Sequence, residues 1–334
     1  MKITVIGCGN AFSEKNFNQS FLLEEDGEKF LIDCGSQTPN ALAAAGVKAK
    51  DIGSVYISHL HADHIGGLEW LAFTRYDWIN HPRKYNDPRK SCAYAPHLYG
   101  DKQLIKDLWD KSLRGGLESM EGFVATLDTF FEPHAIEPNE SFTWQGWNVR
   151  LVQQIHILSG SIITPSFGII FTKPGHKTVY FVTDSQHVSP RQMEVFYQEA
   201  DLIFQDCECT GVNFLYEEGA HVYTDDTDEK KPVFPWPTDD MKIMELLARG
   251  NEGWKWKRSL MYSGVHANYA QLAGYESANS VKLPADIKKK MWLSHYQDFV
   301  GKNLDMYGNS VSWENQVDKD GFAGFVIPKQ VFEI

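Results

Sequence analysis

The sequence predicts a layered α/β fold. Two observations predict it: short apolar segments of strand type alternate along the chain with segments of helical spacing, and turn-forming residues separate them. No internal repeat or low-complexity tract interrupts this order.

In chain order, the segment from Lys2 to Gly7 reads as a first strand. Phe21-Leu22-Leu23 and Phe30-Leu31-Ile32 flank the turn-like Glu25-Asp26-Gly27-Glu28, which predicts a hairpin, and Asp33-Cys34-Gly35 leaves its second strand. Residues 39–46 predict a helix, with Pro39 at its first position and Gly46 ending it. Val55-Tyr56-Ile57-Ser58 is an apolar strand with His59 at its end. Residues 80–92, rich in Pro, Asn, Lys and Arg, predict a loop. Leu104, Ile105, Leu108 and Trp109 give residues 101–113 helical spacing. From Phe142 to Ile157 we expect two strands around Gly146, with His156 near the end of the second. Two further strands, 167–171 and 179–183, join through Lys173-Pro174-Gly175-His176, and Asp184 ends the latter. Leu202-Ile203-Phe204 is a strand that ends at Asp206. Residues 222–240 combine acidic residues with Pro232, Pro235 and Pro237 and predict an inserted surface loop, followed by a helix over roughly 239–249. A helix over 284–290 and the strand Met291-Trp292-Leu293 lead to His295.

With 334 residues, 43% of them hydrophobic, the chain can bury a large core. We read it as one domain over 1–334, with an inserted loop or lid at about 210–262. No run approaches the roughly 18 apolar residues of a membrane span, and the N-terminus lacks the pattern of a signal peptide, so the cytoplasm is the expected compartment. The five cysteines are odd in number and scattered; Cys207 and Cys209 are read as buried thiols rather than a metal pair. The net charge of −12 disfavours a long nucleic-acid partner, whose phosphates an acidic surface repels.

The chemistry concentrates in His59-Leu60-His61-Ala62-Asp63-His64, three imidazoles and a carboxylate within six residues after an apolar strand. Packing does not need such a cluster, whereas zinc, iron and manganese sites use these ligand types. Residues two apart on extended backbone share a face, and Gly66-Gly67 gives the following turn room.

This segment resembles the His-x-His-x-Asp-His signature of the metallo-β-lactamase superfamily. The resemblance continues through Gln154-Ile155-His156-Ile157, Phe181-Val182-Thr183-Asp184 and Trp292-Leu293-Ser294-His295-Tyr296. It implies a four-layer αββα sandwich and two divalent metal ions, zinc or alternatively manganese. One ion would take His59, His61 and His156 and the other Asp63, His64 and His295, with Asp184 and a water or hydroxide between them. Asp63 would then serve catalysis as well as ligation. Two ions, two carboxylates and a hydroxide leave a net charge of about +1, which suits a substrate with a single negative charge, such as a phosphodiester; a lactam or lactone carbonyl would also be polarised.

Ser263-Gly264-Val265-His266-Ala267-Asn268-Tyr269 resembles the short motif of the ribonuclease Z-like phosphodiesterase branch, in which a His protonates the leaving oxygen or stabilises the transition state. His266 would take that role. Asp206 and Glu208 are expected to support the site rather than ligate, and His97, His134, His187 and His221 to be structural or exposed. Four further segments, Gly66 to Phe73, Leu113 to Ser119, Phe204 to Glu208 and Asp320 to Phe325, resemble the anti-Pycsar phosphodiesterases of phages and their bacterial relatives. That resemblance implies a zinc-dependent homodimer that hydrolyses cyclic mononucleotides, among them cyclic CMP, UMP, AMP and GMP, and so counters cyclic-nucleotide antiphage signalling, in the host cytoplasm if the source is viral. Tyr76, Trp78 and Tyr99 are expected to offer faces on which a base can stack. The alternatives are a ribonuclease Z-like RNA endonuclease, which needs an electropositive surface, and a lactonase-type hydrolase, which does not need His266.

Overall fold

A computed structural model describes residues 1–76, 95–159, 162–186, 188, 190–208, 266–267, 269–274, 283–305 and 310–334. The expected loop at 80–92, the insertion at about 210–262, the helix over 239–249, Cys92, Cys209, Trp78, His187 and His221 lie outside the described residues. The chain divides into two compact units, Met1–Leu151 with Val326–Ile334, and Val152–Phe325.

The first unit is built on a mixed sheet. β1 (Lys2–Gly7), β2 (Ser20–Glu25) and β3 (Glu28–Ile32) run antiparallel. The predicted hairpin turns at Asp26 and Gly27, with φ of 50° and 84°, the paired left-handed geometry that matches strand twist. β4 (Ser54–Tyr56), β5 (His97–Asp101) and β8 (Glu132–Ile136) continue the sheet in parallel, after a small hairpin of β6 (Ser119–Met120) and β7 (Phe123–Val124). The C-terminal β16 (Val331–Glu333) closes the other side, giving the order β16-β1-β2-β3-β4-β5-β8. β9 (Ser141–Trp144) pairs with the start of β10 (Trp147–Ser159). Phe30 packs on Tyr99, Phe142 and Trp144, with ring centroids 5.7, 6.4 and 5.2 Å away, so these aromatics anchor the core.

The predicted helix near 39–46 is α1 (Thr38–Ala44), with Pro39 in its first turn and Gly46 in the left-handed conformation just past its end. α2 (Ala62–Ile65) and α3 (Leu68–Tyr76) follow the histidine cluster. The segment expected to be helical over 101–113 is helical but not uniform. Asp101 caps Lys102–Leu108 by accepting from the Gln103 and Leu104 amides, then the helix widens into a π turn at Trp109–Leu113. β8 was not legible in the sequence, because Glu132-Pro133-His134-Ala135-Ile136 carries a proline and little apolar alternation. Its place as the last strand in the order explains both, since an edge strand tolerates proline and charge.

In the second unit the order is β15-β14-β13-β12-β11-β10, adding β11 (Ile162–Thr172), β12 (Val179–Phe181), β13 (Leu202–Asp206), β14 (Met291–Ser294) and β15 (Gly324–Phe325). β11 and β12 are antiparallel, and β12 to β15 are parallel. The register Phe181↔Phe204 and Asp206↔Ser294 brings the carboxyl ends of β12, β13 and β14 to one edge, so the residues that follow these strands emerge together. Phe181 stacks on Phe204 at 4.9 Å beneath that edge. Cys8, Cys34 and Cys207 are buried.

Candidate metal-binding and catalytic residues in each unit

In the first unit, β4 delivers Ser58 and His59, and α2 delivers Asp63 and His64, with His61 at its N-terminal cap. The rings of His61 and His64 lie 4.6 and 4.2 Å from that of His59. His59, Asp63 and His64 are buried and His61 is half-buried. A turn after β3 clamps this loop: the Cys34 amide donates to the His64 carbonyl at 2.8 Å and the Ser36 amide to that of Ala62 at 3.1 Å. Gly35 permits this approach, since a Cβ there would stand 1.8 Å from the Asp63 carbonyl oxygen.

Asp33 organises the cluster, a role the sequence reading did not assign. One carboxylate oxygen accepts from the Ser58 amide and the other from the Ser58 hydroxyl, each at 2.8 Å, and the latter also meets His64 Nδ1 at 2.7 Å. Ser58 Oγ lies 3.1 Å from His59 Nδ1. In both rings the Nδ1 side is thus engaged and Nε2 is the nitrogen offered to a metal, as in carboxylate–histidine–metal arrangements. Asp33 holds a left-handed φ of 59°, uncommon outside glycine and typical of functional positions.

In the second unit, β10 presents His156, the segment after β12 presents Asp184, β13 ends at Asp206, and His295 follows β14 with φ of 61°. His156, Asp184, Asp206 and His295 are all buried. The two carboxylate oxygens of Asp184 face different rings, Oδ1 at 3.4 Å from His295 Nε2 and Oδ2 at 3.6 Å from His156 Nε2. Asp206 accepts from the Ser185 amide at 2.8 Å, which holds the Asp184 loop, and lies 3.5 Å from His295 Nδ1.

His266 lies in the same group, 5.1 Å from the ring of His156 and stacked at 4.9 Å on that of His295. Its Nδ1 is 2.9 Å from Asp206 and its Nε2 2.7 Å from Glu208. Burial disfavours the imidazolium, but the charges of Asp206 and Asp184 and the bonds to Asp206 and Glu208 outweigh it and hold its pKa well above the usual histidine range. Burial alone would raise the Asp206 pKa; the His266 charge and bonds from His266 and His295 lower it instead. Donor atoms of Asp184, Asp206, His266 and His295 lie within 4.8 Å of one another. His266 has carboxylates on both nitrogens, which fits a proton carrier better than a ligand.

The donor spacing tests whether a metal fits. Ligands of one tetrahedral zinc at about 2.0–2.1 Å stand about 3.3 Å apart. His64 Nε2 to Asp63 Oδ2 is 3.3 Å, and the two Asp184 contacts are 3.4 and 3.6 Å, too long for good hydrogen bonds and suited to donors converging on an ion. The residues fit divalent metal binding. One sequence expectation is corrected. Tyr76 and Tyr99 are core residues, packed on Phe130 and Phe142 at 5.2 and 4.3 Å, and offer no free face to a base. His97 and His134, expected to be structural or exposed, are half-buried and lie 2.9 Å apart, because β5 and β8 are neighbours.

Comparison with known proteins adds to this geometry. The family model of the Anti-Pycsar protein Apyc1 matches residues 1–228. A protein of that name from Paenibacillus harenae is 34% identical over 308 residues, 92% of each chain. Another from Bacillus phage vB_BveM-Goe7 is 25% identical over 311 residues, 90% of this chain and 92% of the other. Among solved structures, the metallo-β-lactamase fold protein YhfI from Bacillus subtilis aligns over all of this chain and 98% of its own, with a TM-score of 0.58 and 18% identity. This likeness shows the metallo-β-lactamase fold, the α/β class expected from the sequence.

Proposed function

Because this chain belongs to the Anti-Pycsar protein Apyc1 family, we propose that it is a metal-dependent phosphodiesterase that hydrolyses 3′,5′-cyclic mononucleotides to nucleotide monophosphates and so counters cyclic-nucleotide antiphage signalling. The observation that carries the proposal is the buried Asp184, with one carboxylate oxygen 3.4 Å from His295 and the other 3.6 Å from His156. A carboxylate so placed suits a bridge between two ions. The family arrangement then assigns His59, His61 and His156 to one ion and Asp63, His64 and His295 to the other, with the two units working as one hydrolase domain. Zinc, with manganese as the alternative, and a homodimer are what the family resemblance implies, and the cytoplasm is the proposed compartment.

Bound divalent ions supply Lewis acidity and a water acidic enough to ionise near neutral pH. The protein supplies the rest. Asp33 and Ser58 fix the His64 and His59 rings, and Asp206 lies beside the His295 ring, so the His59 and His64 donors are preorganised. As the water oxygen bonds to phosphorus and the ribose–oxygen bond to phosphorus breaks, the departing oxygen needs a proton. His266, held protonated between Asp206 and Glu208, gives it, and the water's proton restores the imidazolium. The net charge of −12 supports a small substrate over a long nucleic acid.

The test is turnover of cyclic CMP, UMP, AMP and GMP beside a pre-tRNA and a lactone, with zinc and with manganese. We expect cleavage of the cyclic nucleotides with loose base selectivity. Efficient cleavage of pre-tRNA or lactone with all four cyclic nucleotides untouched overturns the proposal.

A further inference from the structure

His97, Glu132 and His134 sit outside the residues used above. They come together because β5 and β8 are parallel neighbours in the register His97↔Glu132 and Tyr99↔His134. His97 and Tyr99 share one face of β5, and Glu132 and His134 the same face of β8, so three ligating side chains and one aromatic make a square. His97 Nδ1 lies 2.9 Å from His134 Nε2 and 3.8 Å from a Glu132 oxygen, and the three donor atoms lie within 4.8 Å of one another.

We propose that His97, Glu132 and His134 form a second divalent-metal site, of the zinc class, that clamps the edge strand β8 to β5. The donor types, two imidazoles and a carboxylate, suit zinc and its transition-metal neighbours. The separations of 2.9 and 3.8 Å straddle the roughly 3.3 Å that one tetrahedral zinc requires, so small side-chain shifts suffice. Tyr99 lies flat on the His134 ring at 4.5 Å, with 13° between planes, and is itself stacked on Phe142, which holds the imidazole in place. Burial, and then the neighbouring His97, lower the His134 pKa, which favours the neutral ring that ligates. The His97 and Glu132 side chains are 44% and 47% exposed, so an ion can enter from solvent and keep a water as fourth ligand.

The site is separate from the His59 cluster. His97 is level with Ser54 on β4, five residues before His59, or about 16 Å along extended backbone.

The full chain and its His97→Ala/His134→Ala variant, each dialysed against low micromolar zinc, distinguish the outcomes by elemental analysis. The variant is expected to hold one zinc fewer per chain than the parent, and zinc to raise its unfolding temperature less. Equal zinc content in two folded proteins overturns the proposal. If the variant does not fold, the parent decides: acylation of His97 by diethyl pyrocarbonate, read by peptide mass, should fall several-fold when micromolar zinc is added. Labelling of His97 indifferent to zinc also overturns it.

Discussion

The two candidate ligand clusters, one in each unit, are made in opposite ways. In the first unit, four expected ligands lie within six residues of sequence, from His59 to His64, and one strand end followed by a short helix delivers them. In the second unit, His156, Asp184, Asp206, His266 and His295 come from five separate segments, and the parallel register of β12, β13 and β14 gathers three of them. The local cluster takes its geometry from one loop and the Asp33 clamp. The distributed cluster takes its geometry from a sheet and from Asp206, which touches Ser185, His266 and His295 together. Both parts hold a residue in left-handed backbone just after a strand, Asp33 at φ 59° and His295 at φ 61°, each costing about 1–3 kcal/mol that the surrounding fold must offset. In the local part the strained residue is a support, and in the distributed part it is a proposed ligand.

This contrast sets the size of the expected effects. His61→Ala in the local part and Asp184→Asn in the distributed part should both remove nearly all turnover of cyclic nucleotide, about 10⁴-fold or more, and His61→Ala should lose one bound ion. A variant that loses an ion yet keeps rapid turnover breaks the proposed link between the parts. His266→Ala should keep the bound metal and slow cleavage by about 10²–10⁴. That defect should shrink on a nitrophenyl phosphodiester, whose leaving oxygen needs no proton. Equal losses on both substrates, or loss of metal, would remove His266 from the acid role.

Asp33→Ala should weaken metal binding or turnover by about 10–100-fold, because it frees the His64 ring and the Ser58 hydroxyl without removing a ligand. A smaller effect than the neighbouring ligand variants is part of the prediction; an effect as large as His61→Ala would make Asp33 more than a support. The smallest effect is on stability. In metal-stripped protein the raised pKa of His266 means that its ion pairs contribute fully below about pH 6.5, and that the contribution is lost as pH rises through the folded-state pKa. The stability advantage over His266→Gln, measured by denaturant titration, should therefore shrink as pH rises above about 6.5; an advantage that grows with pH contradicts the assigned ion pairs.

The same contrast explains what could be read in the sequence. The His59 cluster was legible because its residue types serve no packing purpose in so short a run after an apolar strand. The Asp26-Gly27 hairpin and the helix ended by Gly46 were legible from turn chemistry alone. His156, Asp184 and His295 came from resemblance to a family, since each stands alone in sequence and only strand register unites them. Asp33 carried a faint signal, an acidic residue at the end of the apolar Phe30-Leu31-Ile32, but nothing local said that it would reach His64. The partnership of His97 with His134 was invisible, because β8 carries Pro133 and no strand pattern, and 37 residues separate the two rings in the chain.

Whether the local and distributed parts hold one pair of ions is tested most directly by electron paramagnetic resonance of the manganese-loaded protein, in the His97→Ala/His134→Ala background to exclude the outlying site. Ions that share Asp184 at about 3.5–4 Å should give an exchange-coupled spectrum that Asp184→Asn abolishes. Two independent single-ion signals, unchanged by Asp184→Asn, would contradict the account.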